Sequence, residues 1–300
     1  MTSLIIKNVS KNFGQVHSLS EVSFTLEAGQ CVALLGHNGA GKTTLIRMIL
    51  GLSPISSGEI KVLGGAPGSA AARRFIGFLP ESVAFHASLS GREQLHHFAR
   101  LKSVALSKAD ELLDRVGLME AAERKIRTYS KGMRQRIGLA QALLGKPKLV
   151  LLDEPTSGLD PVSRHEFYDI VDELAKGGSA VLLSSHALTE LESRTDRIVI
   201  LSKGRLVANA ALADLREAAR LPVRIMVKTS SENVDEVAQK LGGARINGQA
   251  VEMSCLQSEK LATLARVTAL GDTIRDVEVT PASLEELYRH FSGIAKELAT

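Results

Sequence analysis

Hydrophobic and polar positions alternate in two short runs near the start of the chain, LIIKNVS and VSFTLEAG, which lie on either side of FGQVHS. Such alternation is typical of half-buried β-strands, and the segment between the runs predicts a turn that joins antiparallel partners. A third run, Cys31 to Leu35, is apolar throughout and predicts a strand covered on both faces. It leads directly into GHNGAGKTT and the helical pattern LIRMILGL. The start of the chain therefore predicts an antiparallel pair followed by a strand–loop–helix unit.

The periodicity becomes helical between about 85 and 145. Ser90 with Glu93, and Ser107 with Asp110, have the spacing of capping boxes at helix starts. Uninterrupted apolar runs then return in LVLLDEP and AVLLSSH, with a helical pattern between them. This order predicts an α/β domain with a parallel-sheet core, an antiparallel β subdomain and a helical insertion.

A change in composition near Leu221 and Pro222 predicts a second domain. The patterns beyond it follow the order β-α-β-β-α-β and end in a last helix, SLEELYRHF. This order suits a small α+β domain of the ferredoxin-like type. We therefore expect a first domain over 1–215, with its helical subdomain at about 85–145, and an accessory domain over 220–300.

Composition excludes several classes of protein. The 300 residues are 44% hydrophobic and 23% charged, which excludes a disordered chain, a collagen and a small disulfide scaffold. Cys31 and Cys255 lack the spacing of a metal site or a disulfide framework, which favours a reducing compartment and core positions for both. The sequence shows neither a leader pattern nor an apolar run of about 18 residues, so we expect a chain that is neither exported nor membrane-spanning. The net charge of +4 permits phosphate ligands or an anionic membrane face but does not require them.

The segment GHNGAGKT matches the phosphate-loop pattern G-x-x-x-x-G-K-[ST], in the strand–loop–helix context that this loop requires. Glycines in such a loop let backbone N–H groups converge on a phosphate at the start of a helix. Lys42 would reach the β- and γ-phosphates, and the Thr43 hydroxyl would ligate Mg²⁺. The alternative is a chance glycine-rich turn. The predicted nucleotide-binding residues of this segment are Gly36, His37, Asn38, Gly39, Ala40, Gly41, Lys42, Thr43 and Thr44.

Two adjacent carboxylates end the apolar strand LVLLDE, at the edge of an α/β sheet where ligands bind. Asp153 would hold Mg²⁺, directly or through water. Glu154, one residue further on, could accept a proton from an attacking water and is the candidate general base. Paired acids at a strand end are otherwise ordinary solvated turn residues, and the phosphate loop upstream is what favours the catalytic interpretation.

The segment YSKGMRQR, upstream of LLDEPTSGLDP, resembles the signature region of ABC-transporter ATPases, and the resemblance extends from residue 4 to about 210. It implies an ABC-type P-loop fold with ATP and Mg²⁺ as ligands. In that family the signature segment contacts the γ-phosphate of ATP held by the other subunit, which implies this role for Ser130, Gly132 and Met133. Lys131 departs from the family pattern, which has a glycine there.

Four further positions take their roles from the same resemblance. Phe13, in KNFGQ, stands where an aromatic ring stacks on adenine, and the alternative is a plain core phenylalanine. Glu81, in FLPES, replaces a glutamine that touches Mg²⁺ and senses the membrane partner, which makes it a candidate metal ligand beside Asp153. Asp160 matches the loop that crosses to the other subunit. His186 matches the switch histidine that hydrogen-bonds the γ-phosphate and joins the predicted catalytic set.

Longer segments resemble a narrower group. LPESVAFHASLSGREQLHHFARLK, YSKGMRQRIGLAQALLGKPKL, LPVRI and SLEELYRHF together are similar to the ATPase subunits of Nos transporters. That family is assigned to maturation of the copper centre of nitrous oxide reductase. One alternative is the ATPase of an ABC-2-type exporter for a drug, lipid or polysaccharide, because such subunits carry a similar tail. A soluble ABC protein without a transport role is the other alternative.

The resemblance also implies partners. It implies a head-to-tail homodimer with two composite sites, docked on an integral membrane permease, and a periplasmic accessory protein that is reached through that permease. The expected location is cytoplasmic, peripheral on the inner face of the cell membrane. No nucleic-acid partner is expected, because the chain has a single cassette without a long coiled-coil insertion.

Overall fold

The computed structural model describes residues 1–185, 188 and 190–297, and the side chains among them up to residue 293. The chain divides into two compact units, Met1–Asn209 and Ala210–Thr300. The strands are β1 (Thr2–Phe13), β2 (Val16–Glu27), β3 (Cys31–Leu35), β4 (Ser57–Val62), β5 (Ile76–Leu79), β6 (Leu149–Asp153), β7 (Ala180–Ser184), β8 (Arg197–Ser202), β9 (Arg205–Ala210), β10 (Val223–Thr229), β11 (Ala244–Asn247), β12 (Ala250–Cys255) and β13 (Ile274–Thr280). The helices are α1 (Lys42–Ile49), α2 (Ala70–Arg74), α3 (Gly91–Leu101), α4 (Leu106–Arg115), α5 (Lys131–Leu143), α6 (Pro161–Lys176), α7 (Leu212–Ala219), α8 (Val234–Leu241), α9 (Lys260–Thr268) and α10 (Leu284–Glu297).

The first unit contains two sheets. A three-stranded sheet has the order β2-β1-β4 with antiparallel pairs, and a six-stranded sheet has the order β5-β6-β7-β3-β8-β9. The pairs from β5 through β8 are parallel. Every position of β3, β6 and β7 is buried, as uninterrupted apolar runs predict for central strands of a parallel sheet. The predicted α/β class, with its parallel core and antiparallel subdomain, is confirmed.

Sheet register brings three chain segments together at one edge. Ser184, the last residue of β7, pairs with Leu34 of β3 on one side and with Asp153 of β6 on the other. The loop that follows β3 therefore begins beside the carboxylates that end β6. This is the carboxyl edge of the parallel strands, where open α/β sheets bind ligands.

The helical insertion consists of α3, α4, α5 and a 3₁₀ turn at Ile126–Thr128. The capping box at the start of α3 is confirmed, because the Ser90 hydroxyl accepts from the Glu93 N–H and the Glu93 carboxylate accepts from the Ser90 N–H. The one predicted at Ser107 is wrong. Helix α4 already begins at Leu106, after Ala105, so Ser107 lies inside the first turn and no side chain caps this helix.

The two cysteines are free and buried, as their spacing predicts. Burial raises the pKa of the Cys31 thiol to about 12, and the nearby Asp196 carboxylate acts in the same direction. A neutral, buried thiol packs as a small apolar group rather than reacting or ligating a metal.

The second unit has the order β-α-β-β-α-β, from β10 to β13, with α7 before it and α10 after it. Its sheet has the order β11-β12-β10-β13 and all pairs are antiparallel, which is the ferredoxin-like arrangement. Val223, Ile225 and Val227 of β10 alternate into a core of their own. Helix α7 belongs to this unit, because it packs on α10 and Arg216 donates to the Ala282 carbonyl. The division at residue 209 consequently lies before the composition change near residue 221.

Among the residues that the structure describes, no helix combines the length and the apolar character that crossing a bilayer requires.

Candidate functional site

A cleft of about 530 Å³ opens at the carboxyl edge of the parallel strands. Its lining brings together the phosphate loop, the end of β6 and Glu81, the candidate metal ligand. The lining residues are Ser18, Gly36, His37, Asn38, Gly39, Gly41, Lys42, Thr43, Thr44, Glu81, Asp153 and Glu154. Of the predicted loop residues, only Ala40 is absent from this lining, and it is fully buried.

The loop backbone fits closely against its neighbours at two glycines. Gly41 has φ +105°, and a β-carbon there would lie 2.6 Å from Leu19 Cδ2. A β-carbon on Gly36 would lie 2.7 Å from the Ala40 β-carbon. Because L side chains rarely adopt the Gly41 conformation, glycine is what lets the chain turn from β3 into α1 here. The first N–H groups of α1 lack intrahelical acceptors, and its first turn contains no acidic residue, so the cradle is suited to a phosphate.

Lys42 is held between two oxygens at the base of the cleft. Its Nζ donates to the Gly36 carbonyl at 2.6 Å and lies 3.8 Å from Glu154 Oε1. Both side chains are about nine-tenths buried. A buried cation beside a single carboxylate can bind further anionic oxygens. The phosphate-loop pattern predicts that Lys42 binds the oxygens of the β- and γ-phosphates.

Thr43 and Asp153, 110 residues apart, meet at the edge of the sheet. The Thr43 hydroxyl donates to Asp153 Oδ2 at 3.1 Å. A hydroxyl and a carboxylate are hard oxygen donors, and Mg²⁺ at such sites uses one or two protein ligands together with substrate phosphates. Within the described residues no three His, Cys, Asp or Glu side chains form a metal-binding group, so Glu81 lines the cleft without completing a cage. The residues present therefore fit Mg²⁺ held jointly with a nucleotide.

Ser184 is a site residue that sequence reasoning missed. Its hydroxyl donates to Asp153 Oδ1 at 2.6 Å and accepts from the Glu154 N–H at 3.0 Å, and the side chain is fully buried. One hydroxyl thus orients both neighbouring acidic residues. The available signal was the polar end of the apolar run AVLLS, which matches the polar end of LVLLD.

Glu154 itself has φ +48°, a conformation that is uncommon for a residue with a β-carbon. Such conformations persist where the surrounding contacts fix them, and they concentrate at functional sites. Here the contacts to Ser184 and Lys42 fix the backbone and the carboxylate respectively.

Phe13 lies at the end of β1 and is 53% exposed. This exposure excludes the alternative of a plain core phenylalanine. Lys11 Nζ lies 4.7 Å from the ring centroid, a cation–π distance, and donates to the Pro54 carbonyl. Phe13 is not part of the cleft lining, so stacking on adenine stays a prediction.

The predicted signature residues form a separate group. The exposed Ser130 hydroxyl caps α5 by accepting from the Met133 N–H at 3.1 Å, and Gly132 follows Lys131 in the first turn. None of these residues lines the cleft. Within one chain, the phosphate loop and the signature segment are therefore parts of two different surfaces.

Asp160 begins α6 as its N-cap. Its carboxylate accepts from the Ser163 hydroxyl at 2.6 Å and from the Ser163 N–H at 3.0 Å. These hydrogen bonds, the hydroxyl bond first, lower the pKa of the Asp160 carboxyl from its usual value. Asp160 is also outside the cleft lining. The predicted switch residue His186 lies outside the described residues.

Comparison with known proteins agrees with this geometry. The family model described as ABC transporter matches residues 19–157. The uncharacterized ABC transporter ATP-binding protein YhcH of Bacillus subtilis (strain 168) is 38% identical, over 99% of this chain and 98% of its own length. The chain belongs to the ABC transporter ATP-binding family. This ABC subunit is also 34% identical to the linearmycin resistance ATP-binding protein LnrL of Bacillus subtilis (strain 168), over 96% of this chain and 97% of that protein.

Two further comparisons extend the result. The daunorubicin resistance ATP-binding protein DrrA3 of Streptomyces coeruleorubidus is 32% identical, over 97% of this chain and 96% of its own length. A solved structure of an ATP-binding subunit of an ABC transporter superposes with a TM-score of 0.68 and 32% identity, over 72% of this chain and 92% of that one. The ABC subunit is an ATP-hydrolysing component of a transporter, and its fold is that of an ABC ATP-binding cassette.

Replacing Ser184 by Ala is expected to lower ATPase turnover about tenfold, because about 1–3 kcal/mol is typical when a buried partner loses its hydrogen bond. Asp153 would keep its contact with Thr43, and the Glu154 N–H would keep its hydrogen bond to the Ser184 carbonyl. Steady-state kinetics as a function of Mg²⁺ concentration checks this. Ser179→Ala is the matched control, since Ser179 bonds the Pro147 carbonyl just before the other end of β7. Equal losses in both variants would contradict a specific role for Ser184.

Proposed function

We propose that this ABC ATPase acts as a head-to-tail homodimer with two composite ATP sites, and that it drives a separate membrane permease at the inner face of the cell membrane. The observation that carries the proposal is the division of the predicted site residues into two surfaces within one chain. Lys42 and Glu154 line the cleft, whereas Ser130 and Asp160 lie outside it. An exposed, capping Ser130 is accessible to a nucleotide that a second chain holds.

The residues of the cleft divide the work of phosphoryl transfer to water. Lys42 would neutralise charge on the β- and γ-phosphates, and Glu154 would accept the proton of the attacking water. Thr43 and Asp153 would hold Mg²⁺, which when bound neutralises charge on the phosphate oxygens. Glu81 would face the same cleft from the segment after β5. His186 retains its proposed role at the γ-phosphate from the family resemblance.

Nucleotide-dependent closure would supply the mechanical step. ATP would add contacts between the phosphate loop of one chain and the Ser130 segment of the other, and hydrolysis would remove them. A ligand shifts a conformational equilibrium only by its difference in affinity between the two states, so these composite contacts are the source of the work.

The transported compound is proposed from the relatives. LnrL and DrrA3 are named for resistance to linearmycin and daunorubicin, and each aligns with nearly the whole chain. Their names support an exporter of an antibiotic-type compound, which was the alternative to the Nos assignment. Neither name gives support to copper-site assembly, denitrification or a periplasmic accessory protein, and we propose export in place of that function.

One experiment separates the two functions. The gene is deleted in its own host and the strain is complemented with the parent chain or with Lys42→Ala. Drug susceptibility and the copper content of nitrous oxide reductase are measured in parallel. Greater sensitivity to daunorubicin-type compounds, restored by the parent alone, supports export. Unchanged susceptibility together with a copper-deficient reductase would return the assignment to the Nos system.

The second unit, over 210–300, is proposed as a docking or regulatory domain. It has its own core and ferredoxin-like sheet, and the proposed ATP-site residues all lie before it. Ending the chain after Ala211 keeps β9 whole and is expected to leave a soluble ATPase with impaired assembly on the permease. Gel filtration, ATPase rate and co-purification with the permease check this. An insoluble product would show that the second unit completes the fold of the first.

A further inference from the structure

Lys131, the residue that departs from the family pattern, makes a specific contact within its own chain. It is the first residue of α5, and its Nζ lies 3.4 Å from the Ser157 hydroxyl oxygen. Its aliphatic stem covers Gly158, because a β-carbon placed there would lie 2.8 Å from Lys131 Cδ and 2.9 Å from Cε. The distal half of the lysine side chain, from Cδ to Nζ, therefore contacts the two-residue loop tip Ser157–Gly158.

The stability of helix α5 does not explain why a lysine occupies position 131. A cation in the first turn of a helix opposes the macrodipole, and the first turn of α5 contains no acidic residue. The side chain is exposed, so it is not part of the core. Within the described part of the chain, Ser157 is the only polar partner of the Lys131 ammonium, and no carboxylate pairs with it.

The loop beneath Lys131 connects the candidate base to Asp160. It starts at Glu154, at the end of β6, and finishes at the N-cap of α6. The Ser157 N–H donates to the Glu154 carbonyl at 3.2 Å, so the position of Ser157 is linked directly to the backbone of Glu154. Both ends of the loop are fixed by regular structure, and its tip lies under Lys131.

A second contact joins the same two elements. A β-carbon on Gly132 would lie 3.4 Å from Leu159 Cδ2, and Leu159 is buried. The first turn of α5 thus packs on the loop at Leu159 and covers its tip with Lys131. The segment that would meet the partner's nucleotide and the loop that carries the chain's own base are in direct contact.

We propose that Lys131 is a positioning residue that ties the Ser157–Gly158 tip to the start of α5 and so holds Glu154 in its hydrolytic position. The inference rests on the proposed role of Glu154 as base and concerns contacts within a single chain. The same contacts would couple the two proposed sites. When Ser130 binds the nucleotide held by the partner chain, the position of Glu154, which acts on the chain's own nucleotide, would change with it. Lys131 acts through the loop and does not contact the reacting atoms. Its loss should therefore lower kcat and leave the KM for ATP nearly unchanged.

A double-mutant cycle on the purified full-length chain tests the contact. Lys131→Met keeps most of the stem and removes the ammonium, and Ser157→Ala removes its partner. Each variant is expected to lower kcat about three- to tenfold with the KM for ATP changed less than about twofold, since the lost contact is one charge-assisted hydrogen bond. The double variant should lose no more than the more affected single variant, because both substitutions remove the same interaction.

Three controls separate positioning from a general structural effect. Lys131→Arg keeps a cation and donors and should retain most of the turnover. Lys108→Met removes an exposed lysine that bonds Glu111 on α4, and should leave kcat unchanged. The unfolding temperature should be the same in the Lys131 variants and in the parent, because the side chain is exposed.

Several results would overturn the proposal. These are an unchanged kcat in Lys131→Met, losses that add in the double variant, or a loss in Lys131→Met that Ser157→Ala does not share. A raised KM with unchanged kcat would show instead that Lys131 contacts the nucleotide. Failure of the base assignment is recognised separately, because Glu154→Gln would then hydrolyse ATP at the parent rate whatever the Lys131 variants do.

Discussion

Replacement of Glu154 by Gln is expected to lower ATPase turnover by about 10² to 10⁴-fold while ATP binding is retained, because an amide of the same shape cannot accept the proton of the attacking water. The phosphate contacts are proposed for other groups, namely the loop backbone and Lys42. ATP bound without being hydrolysed should hold two chains together. Single-turnover ATPase assays and size-exclusion chromatography in ATP measure the two effects.

Two variants make this result interpretable. Lys42→Ala should weaken ATP binding itself, because it removes a buried cation from the base of the cleft. Glu111→Gln is the matched control, since Glu111 is an exposed acid on α4 that pairs with Lys108 and lies outside the cleft lining. Near-normal hydrolysis by Glu154→Gln would require another residue to be the base. Equal effects of Glu154→Gln and Lys42→Ala on ATP affinity would assign Glu154 a binding role.

The centre of the fold was predictable because two signals coincide there. Cys31–Leu35 and Leu149–Asp153 are apolar almost without interruption, which is typical of a strand covered on both faces in an α/β domain. The phosphate loop adds fixed residue types whose conformations are needed locally, such as φ +105° at Gly41. The apolar runs and the phosphate-loop motif each consist of residues that are adjacent in the sequence, so both can be recognised without knowing the tertiary structure.

The rest depends on contacts between distant positions. Ser184 bonds Asp153, 31 residues away, only because the register of β6 and β7 makes them partners. Likewise, Lys131 stands out in the sequence only as a departure from a pattern, and its contact with Ser157 depends on how α5 packs on the loop after β6. The start of α4 was mispredicted for a local reason. Ser107 and Asp110 have the spacing of a capping box, but Ser107 is the second residue of the helix and lies two positions after the N-cap Ala105.

Because Ser130 is exposed, its replacement by a bulky residue is the second substitution that we expect to have a large effect on ATP hydrolysis. Ser130→Arg is expected to abolish hydrolysis by the proposed homodimer while each chain still binds ATP. The bulky cation would block the surface that is proposed to meet the other chain's nucleotide, and it leaves the cleft intact. Loss of the cap on α5 costs only about 0.5–2 kcal/mol, so the chain should remain folded. ATP binding and thermal unfolding of the purified variant check both statements.

Mixing two inactive variants decides whether the sites are composite. A Ser130→Arg chain keeps a normal phosphate loop, and a Lys42→Ala chain keeps a normal signature segment, so their heterodimer contains one intact pair and one doubly defective pair. Hydrolysis should therefore reappear on mixing, although neither homodimer is active. A control mixture of Lys42→Ala with Glu154→Gln should stay inactive, because both substitutions lie in the cleft and each site of that heterodimer then keeps one defect. Parent-like hydrolysis by the Ser130→Arg homodimer, or no recovery on mixing with Lys42→Ala, would mean that each chain completes its own site.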